Sequence, residues 1–407
     1  MAGWTRRILR TLKILILSGL ALVAILVLGL WIEQSSRTSL PEPTGPFAVG
    51  RVFYDWVDAT ALDTLAPSAG TRRELLVWIW YPADPNSGPI DEYMPAALRP
   101  RDDGGTNIWT FLTRDVSRVR SHSHRNASMA AAARPFPVVI LRPGGSSGVL
   151  NYSSLAEDLT SHGYVVVGFD APYRTSLVVF PDGRAIGRTN ENNPEGCLGL
   201  AVNEQERCAA RLIDAWNSDT AFVLDRIAQL NGSAERGLFS GRLDTGRVGL
   251  FGHSFGGAAV AEFCRQDARC QAGVDIDGAP HGLVIETGLR QPFMFLLSDH
   301  RREVDSASDQ IRADFDSMYA RLPPDGRLAL EIRGAFHFMF SDDGAVRKSG
   351  LVRGVVRLLG RLQIDARRQL AITSHCLSAF FDAHLKPLDG PPPAMLSADY
   401  PELQPIK

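Results

Sequence analysis

Hydrophobic residues recur along the chain in two patterns, which predict strands that alternate with helices. Short apolar runs are typical of buried strands, and longer segments carry apolar residues at the spacing of a helix face. The pattern predicts strands at 75–81, 137–141, 164–169, 248–251, 272–276, 292–297 and 328–333, and helices at 152–161, 214–230, 351–362 and 366–385. Strands that alternate with helices indicate an α/β domain, whose mostly parallel sheet is covered by helices on both faces.

The N-terminus carries a different pattern, a run of 19 uncharged residues at 14–32 that is long enough to cross a bilayer as a helix. Arg6, Arg7, Arg10 and Lys13 precede this run. The positive-inside rule keeps them in the cytoplasm and places the rest of the chain on the periplasmic or extracellular side. A cleaved signal peptide, which would release a secreted protein, is the alternative. The length of the run and the bulky residues after it favour an uncleaved transmembrane helix.

Composition divides the chain into an anchor, a linker, a domain and a tail. Residues 1–34 are the membrane anchor or signal segment, and residues 35–46, rich in Ser, Thr and Pro, predict a linker. Residues 47–390 form the α/β domain, and residues 391–407 form a Pro-rich tail. Within the domain, residues 172–211 are a polar insert between a strand and its helix. An insert of this length is typical of a lid or binding loop.

Arginines at four-residue spacing mark the helix predicted at 351–362. Arg353, Arg357 and Arg361 share one face of it, with leucines and valines between them. A solvated surface is the favoured interpretation of this face, and contact with an anionic membrane is the alternative.

Charge and cysteine usage narrow the classes of function. A formal net charge of −2 gives no electrostatic support for nucleic-acid binding. The sequence has neither Cys-x-x-Cys nor paired-histidine spacing, so we expect no metal and no cofactor. Five cysteines suit an exported chain. Cys197 and Cys208 could form one disulfide and Cys264 and Cys270 another, which would leave Cys376 as a core thiol, but the sequence does not decide the pairing.

A Gly-x-Ser-x-Gly motif contains the strongest candidate for chemistry. Gly252, Ser254 and Gly256 stand between the strand at 248–251 and a segment of small residues that predicts the start of a helix. Such a sharp strand-to-helix turn is a nucleophile elbow, in which glycines let neighbouring backbones approach and the serine hydroxyl points at a substrate. The serine then needs a histidine base, and the histidine needs an acid to fix its tautomer.

The expected chain order of serine, acid and histidine selects the partners of Ser254. His337 lies in a small-residue loop after the last predicted strand, which would deliver it to the carboxyl edge of the sheet. Asp277 and Asp299 each follow one of the two strands after the elbow, and their spacing does not separate them. Asp275 lies inside a strand and points to the opposite side from its neighbour, which makes it the weaker candidate.

The oxyanion hole needs two backbone N–H donors. The residue after the nucleophile, Phe255, supplies one. Gly144 or Gly145, in the loop after the strand at 137–141, supplies the other, because Pro143 has no N–H.

These residues resemble the platelet-activating-factor acetylhydrolases and dienelactone-hydrolase-like esterases, which have the α/β-hydrolase fold. The resemblance runs from residue 75 to residue 385 and rests on the motifs at 81–82, 161–163, 252–257, 276–277 and 332–337. In the acetylhydrolases the acid follows the strand after the elbow, so the resemblance favours Asp277. Other α/β-hydrolases, dienelactone hydrolases included, place the acid one strand later, which corresponds to Asp299.

Two departures from these families stand in the sequence. The family's Ser-His-Gly oxyanion sequence is replaced by Arg142, Pro143 and Gly144, which leaves Gly145 where the resemblance places the donor. The elbow carries serine, whereas dienelactone hydrolases proper use cysteine.

The resemblance and the motif together predict a serine esterase that transfers an acyl group to water through an acyl-enzyme intermediate. Its substrate is a short-acyl phospholipid, as the resemblance implies, or another small ester. An acyltransferase or thioesterase with the same triad is the alternative among enzymes. An inactive binding protein on a hydrolase scaffold is the alternative from another class.

Overall fold

The computed structural model of the protein describes residues 2–96, 99, 112–232, 237–300, 306–387 and 394–406. The strands of these ranges are, in chain order, β1 (Thr38–Ser39), β2 (Ala48–Leu62), β3 (Arg72–Ala83), β4 (Ile90–Glu92), β5 (Val119–Arg125), β6 (Phe136–Arg142), β7 (Val165–Asp170), β8 (Leu177–Val179), β9 (Ala185–Gly187), β10 (Leu243–His253), β11 (Cys270–Ile276), β12 (Phe293–Leu297), β13 (Arg327–Ile332) and β14 (Leu403–Pro405). The α-helices are α1 (Ala2–Ser35), α2 (Ser153–Ser161), α3 (Val202–Gly232), α4 (Phe255–Gln266), α5 (Val284–Thr287), α6 (Ser306–Ala320), α7 (Gly350–Leu358) and α8 (Ala366–Leu385).

One mixed sheet organises the domain, in the order β1-β5-β2-β3-β7-β6-β10-β11-β12-β13-β14, with β4 beside β5. From β7 to β13 every pair of neighbouring strands is parallel. β3 is antiparallel to both of its neighbours, and β14 is antiparallel to β13. Because parallel strands end at the same edge of a sheet, the loops after β6, β10, β11, β12 and β13 gather at one edge.

Successive side chains of a strand point to opposite faces of the sheet, so the strands contribute to two hydrophobic cores, one on each face. Val139 and Leu141 of β6 belong to one core, which α2 and α8 cover. Val138 and Ile140 belong to the other, which α3, α4 and α6 cover. Burying an aliphatic side chain fully stabilises the fold by roughly 1.5–3 kcal/mol. A strand that is apolar on both sides therefore needs helices on both faces of the sheet.

Several elements differ from the sequence-based prediction, among them α3 and β2; α6 and β14, the latter within the predicted tail, are further elements that the pattern does not indicate. α3 begins at Val202 rather than at residue 214, so its first turns belong to the insert predicted at 172–211, together with the β8–β9 hairpin. The long strand β2 was not anticipated. It buries Arg51, whose guanidinium donates to Asp91 at 2.8 Å, and a buried charge inside a strand hides the apolar alternation.

The N-terminal helix α1 is long and apolar enough, by length and composition, to cross a membrane over Arg6–Ser35. Its C-terminal end is tied to the domain by Glu33. That carboxylate accepts the N–H of Gly350 at 2.8 Å, and Arg114 donates to the carbonyl oxygen of Glu33 at 2.6 Å. The end of α1 therefore lies against the start of α7, whose Leu358 is 87% exposed.

Two disulfides join the two candidate pairs of cysteines. Cys197–Cys208 joins the turn Pro194–Cys197 to α3, and Cys264–Cys270 joins α4 to β11. Cys376 is a buried free thiol, and its burial raises its pKa. The first disulfide fixes the end of the insert that approaches the site described next.

Candidate active site

Ser254 occupies a strained turn between β10 and α4, with φ 55° and ψ −128°. A non-glycine residue in this region of backbone space carries roughly 1–3 kcal/mol of strain and persists only where its surroundings enforce it. A Cβ on Gly252 would overlap the carbonyl of Gly256, and a Cβ on Gly256 would overlap the carbonyl of Pro143. The glycines of the motif are therefore required because the backbones on either side of the turn touch.

His337 connects Ser254 to a carboxylate. It begins a short 3-10 turn, His337–Phe340, shortly after β13 ends, at the edge of the sheet where the elbow lies. Its Nε2 is 3.1 Å from Ser254 Oγ, and its Nδ1 donates to Asp277 Oδ2 at 2.8 Å. A hydroxyl, an imidazole and a carboxylate thus form one hydrogen-bonded row, although the three residues lie far apart in the sequence.

Asp277 is held as a buried carboxylate by four hydrogen bonds. Besides His337, Ser298 donates its N–H to Oδ1 at 2.8 Å and its hydroxyl to Oδ2 at 2.7 Å. His300 Nε2 donates to Oδ1 at 2.6 Å. Burial by itself raises the pKa of Asp277, but the hydrogen bonds from His300 and His337 outweigh it and hold this pKa well below its usual range. The carboxylate of Asp277 is therefore ionised at neutral pH, with the imidazole of His337 beside it.

The other two candidate acids occupy structural positions. Asp299 accepts the N–H of Gly334 through Oδ2 at 2.9 Å, at the base of the loop that carries His337. Asp275 accepts the N–H of Gly278 at 2.8 Å, and burial raises its pKa to about 8. Of the three aspartates, it is Asp277 that receives the Nδ1–H of His337.

Three residues that could offer a backbone N–H, Gly144, Gly145 and Phe255, line the cavity beside Ser254. Phe255 is the first residue of α4, where helical N–H groups have no acceptor within the helix and the helix dipole is positive. Gly144 donates its N–H to Tyr152 Oη at 3.0 Å, so this N–H already has an acceptor. Gly145 lines the same cavity as Ser254 and is left as the candidate for the second donor.

A cavity of about 300 Å³ opens beside Ser254, at the lower end of the range for small-molecule sites. One wall comes from the insert, through Pro194, Glu195 and Leu198. Phe338, next to the histidine, forms part of the opposite wall, and its side chain and that of Leu198 are largely exposed. The site therefore has a polar floor and an apolar rim that is open to solvent.

The sequence assigns no role in the chemistry to several residues of the site. Ser298 and His300 follow β12 at the same edge of the sheet, and that position was the available signal for them. Tyr152 lies in a 3-10 turn with no recognisable motif, and the elbow motif contains His253 without giving it a role. Among the described residues, no cluster of three or more His, Cys, Asp or Glu side chains could hold a metal ion.

Comparison with known proteins agrees with this architecture. Residues 223–389 match the family model of platelet-activating factor acetylhydrolase, isoform II. A probable 1-alkyl-2-acetylglycerophosphocholine esterase of Arthroderma benhamiae is 27% identical over 350 residues, which are 80% of this chain and 81% of that protein. The platelet-activating factor acetylhydrolase of Cavia porcellus is 22% identical over 77% of this chain and 71% of its own.

A solved structure extends the likeness to the whole fold. The ferulic acid esterase from Streptomyces cinnamoneus superposes with a TM-score of 0.69 and 27% sequence identity, over 91% of this chain and all of that one. These two relatives and this solved structure are esterases or acetylhydrolases. The chain therefore has the α/β-hydrolase fold and is a carboxylic ester hydrolase, similar to the platelet-activating-factor acetylhydrolases and related esterases.

Proposed function

We propose that this hydrolase works through a triad of Ser254, His337 and Asp277. The observation that carries the proposal is the position of the His337 ring, with Nε2 at 3.1 Å from Ser254 Oγ and Nδ1 at 2.8 Å from Asp277 Oδ2. Ser254 attacks the ester carbonyl while its proton passes to Nε2. Asp277 keeps the Nδ1–H tautomer and stabilises the imidazolium, which returns the proton to the leaving alcohol. Water then enters and hydrolyses the acyl-enzyme by the same steps in reverse.

Two N–H groups stabilise the negative oxygen that forms during each step. Phe255 offers its N–H from the positive end of α4, and Gly145 offers its N–H from the loop after β6. Donors of this kind typically contribute a factor of about 10²–10³ in kcat each. Pro194 lies against Gly145, so the insert supports the oxyanion loop from outside.

The substrate is a small ester with a short acyl chain. The cavity of about 300 Å³ beside the serine has room for a short acyl chain. The relatives named for acetylated glycerophosphocholine favour a phospholipid that carries a short acyl group, and another small soluble ester is the alternative. Hydrolysis rates should be compared across acyl lengths, with and without the phosphocholine headgroup. Adding an alcohol or a thioester to the same assay distinguishes hydrolysis of esters from acyl transfer and thioester cleavage.

The serine mechanism is tested by Ser254→Ala with p-nitrophenyl acetate as substrate. Loss of essentially all turnover is expected, because the nucleophile is gone. Ser121→Ala is the matched control, since Ser121 is a buried serine of β5 whose hydroxyl donates to a backbone carbonyl at 2.8 Å. Unchanged turnover of Ser254→Ala would overturn the proposal. A wild-type chain without any esterase activity would favour the binding-protein alternative.

The enzyme is anchored in the membrane by α1, with its catalytic domain on the exported side. The uncharged helix, the basic residues before it and two disulfides support this arrangement. The hydrogen bond between Glu33 and Gly350 joins the end of α1 to the start of α7, a short helix that ends in the exposed Leu358, and this supports membrane contact for α7. The mass of the mature protein decides between an anchor and a cleaved signal, because cleavage would remove α1.

A further inference from the structure

A chain of buried hydrogen bonds runs from the oxyanion loop to the backbone of the proposed base. Gly144 donates its N–H to Tyr152 Oη at 3.0 Å, and Tyr152 Oη is 2.8 Å from Nδ1 of His253. His253 Nε2 is 3.0 Å from the carbonyl oxygen of His337. Tyr152 is 1% exposed and His253 is 4% exposed, so water does not compete for these bonds.

The direction of every bond in this chain follows from its two ends. The carbonyl of His337 can only accept, so Nε2 of His253 carries a proton and donates it. Burial, with the nearby His337, lowers the pKa of His253 to about 3, so its ring is neutral and Nδ1 accepts. The hydroxyl of Tyr152 must then donate to Nδ1, because burial raises the pKa of this phenol to about 12 and keeps it protonated. Its oxygen accepts the N–H of Gly144.

The two ends of the chain are parts of the proposed machinery. Since the N–H of Gly144 is bonded to Tyr152, the next residue of the loop, Gly145, which also lines the cavity, is the one left to offer its N–H to a substrate. At the other end, the bond to the carbonyl of His337 holds the start of the 3-10 turn from which the His337 ring reaches Ser254. The rings of His253 and His337 also pack against each other, with centroids 4.6 Å apart.

We propose that Tyr152 and His253 are positioning residues, which hold the oxyanion loop and the base in a single geometry through the hydrogen bonds Gly144–Tyr152–His253–His337. The inference rests on the proposed function. His253 sits beside the nucleophile because the motif places it there, and its neutral imidazole donates at one end and accepts at the other without adding a charge next to His337. A displacement of about 1 Å at either end is sufficient to lower the rate by about a hundredfold.

The first test is Tyr152→Phe, with Tyr81→Phe as its matched control. Tyr81 is equally buried, and its hydroxyl donates to the carbonyl of Ala127 at 2.8 Å, away from the site. Tyr152→Phe is expected to lower kcat for p-nitrophenyl acetate by about tenfold to a hundredfold with an unchanged KM. Labelling by a fluorophosphonate, whose tetrahedral oxygen occupies the oxyanion hole, should slow in parallel. Tyr81→Phe should retain the wild-type kcat and labelling rate.

A second pair of variants at His253 covers the case in which Tyr152→Phe does not fold. His253→Gln keeps a donor at the position of Nε2, whereas His253→Leu keeps only the volume. The glutamine variant is expected to retain several times more kcat than the leucine variant, because it preserves the bond to His337. Equal kcat in the two variants would show that the hydrogen bond does not position the base and would overturn the proposal.

The labelling experiment separates this inference from the proposed function. A wild-type protein that is not labelled at Ser254 would overturn the triad and the positioning role together. Labelling of wild type and of folded Tyr152→Phe at the same rate would overturn the positioning role alone. Slower labelling of Tyr152→Phe than of Tyr81→Phe supports it.

Discussion

Replacing Asp277 by asparagine should disable the base without disturbing the fold. Each carboxylate oxygen of Asp277 accepts two hydrogen bonds. Of the four donors, the hydroxyl of Ser298 can rotate and the two imidazoles can change tautomer, whereas the backbone N–H of Ser298 is fixed as a donor. The asparagine oxygen must therefore occupy the Oδ1 position and face that N–H, which turns the amide NH₂ toward His337 Nδ1. His337 is then forced to accept at Nδ1 and to carry its proton on Nε2, where it cannot take the proton of Ser254.

The expected loss follows from the tautomer. A histidine held in the wrong tautomer lowers kcat by about 10⁴, which corresponds to roughly 5.5 kcal/mol of transition-state stabilisation. Steady-state hydrolysis of p-nitrophenyl acetate measures this loss for Asp277→Asn. Asp299→Asn is the matched control, because Asp299 accepts the N–H of Gly334 rather than that of the imidazole. We expect Asp299→Asn to lose less than about tenfold. A larger loss for Asp299→Asn than for Asp277→Asn would refute the assignment of the acid.

Three further predictions concern the elbow, the insert and a buried carboxyl. Gly256→Ala should lower both activity and the thermal midpoint, because its Cβ would overlap a backbone carbonyl, whereas Gly354→Ala, with nothing within 4 Å, should leave both intact. Replacing Cys197 and Cys208 by serine should lower the free energy of unfolding by about 2–3 kcal/mol in urea titrations and raise KM, since the turn they fix lines the cavity. An unchanged KM would show that the disulfide does not help to shape the cavity. Burial raises the pKa of Asp275 to about 8 in the folded protein, against about 4 in the unfolded chain, so the folded state holds this proton more tightly. The stabilisation that this provides is complete below about pH 4 and is lost as the pH rises to about 8. Asp275→Asn should remove this slope of up to ~1.4 kcal/mol per pH unit, and an unaltered slope would contradict it.

The sequence predicts the strands of the parallel part of the sheet well, because each is buried on both faces and appears as an unbroken apolar run. β6 and β12 illustrate this, since their observed bounds lie within a residue of the predicted ones. The antiparallel part was harder to predict. β2 carries the buried Arg51, and its ion pair with Asp91 depends on a partner forty residues away that no local pattern indicates.

The candidate site shows the same division between local and distant information. Ser254 and its glycines form a continuous motif, so the elbow can be predicted without knowledge of the fold. His337 can be predicted from the chain order of the three residue types. The choice between Asp277 and Asp299 depends on which strand end faces the imidazole, and the spacing of the residues does not carry this information. Tyr152 joins the site only because a turn after β6 folds back over the elbow.

The measurement that tests the central claim most directly is the site of covalent labelling by a fluorophosphonate. The folded wild-type protein is treated with the reagent, digested and mapped by mass spectrometry. We expect a single adduct on Ser254, which forms far more slowly in Asp277→Asn and in His337→Ala, because the serine is activated through His337. An adduct on another residue, or labelling of Ser254 at the wild-type rate in both variants, would contradict this expectation.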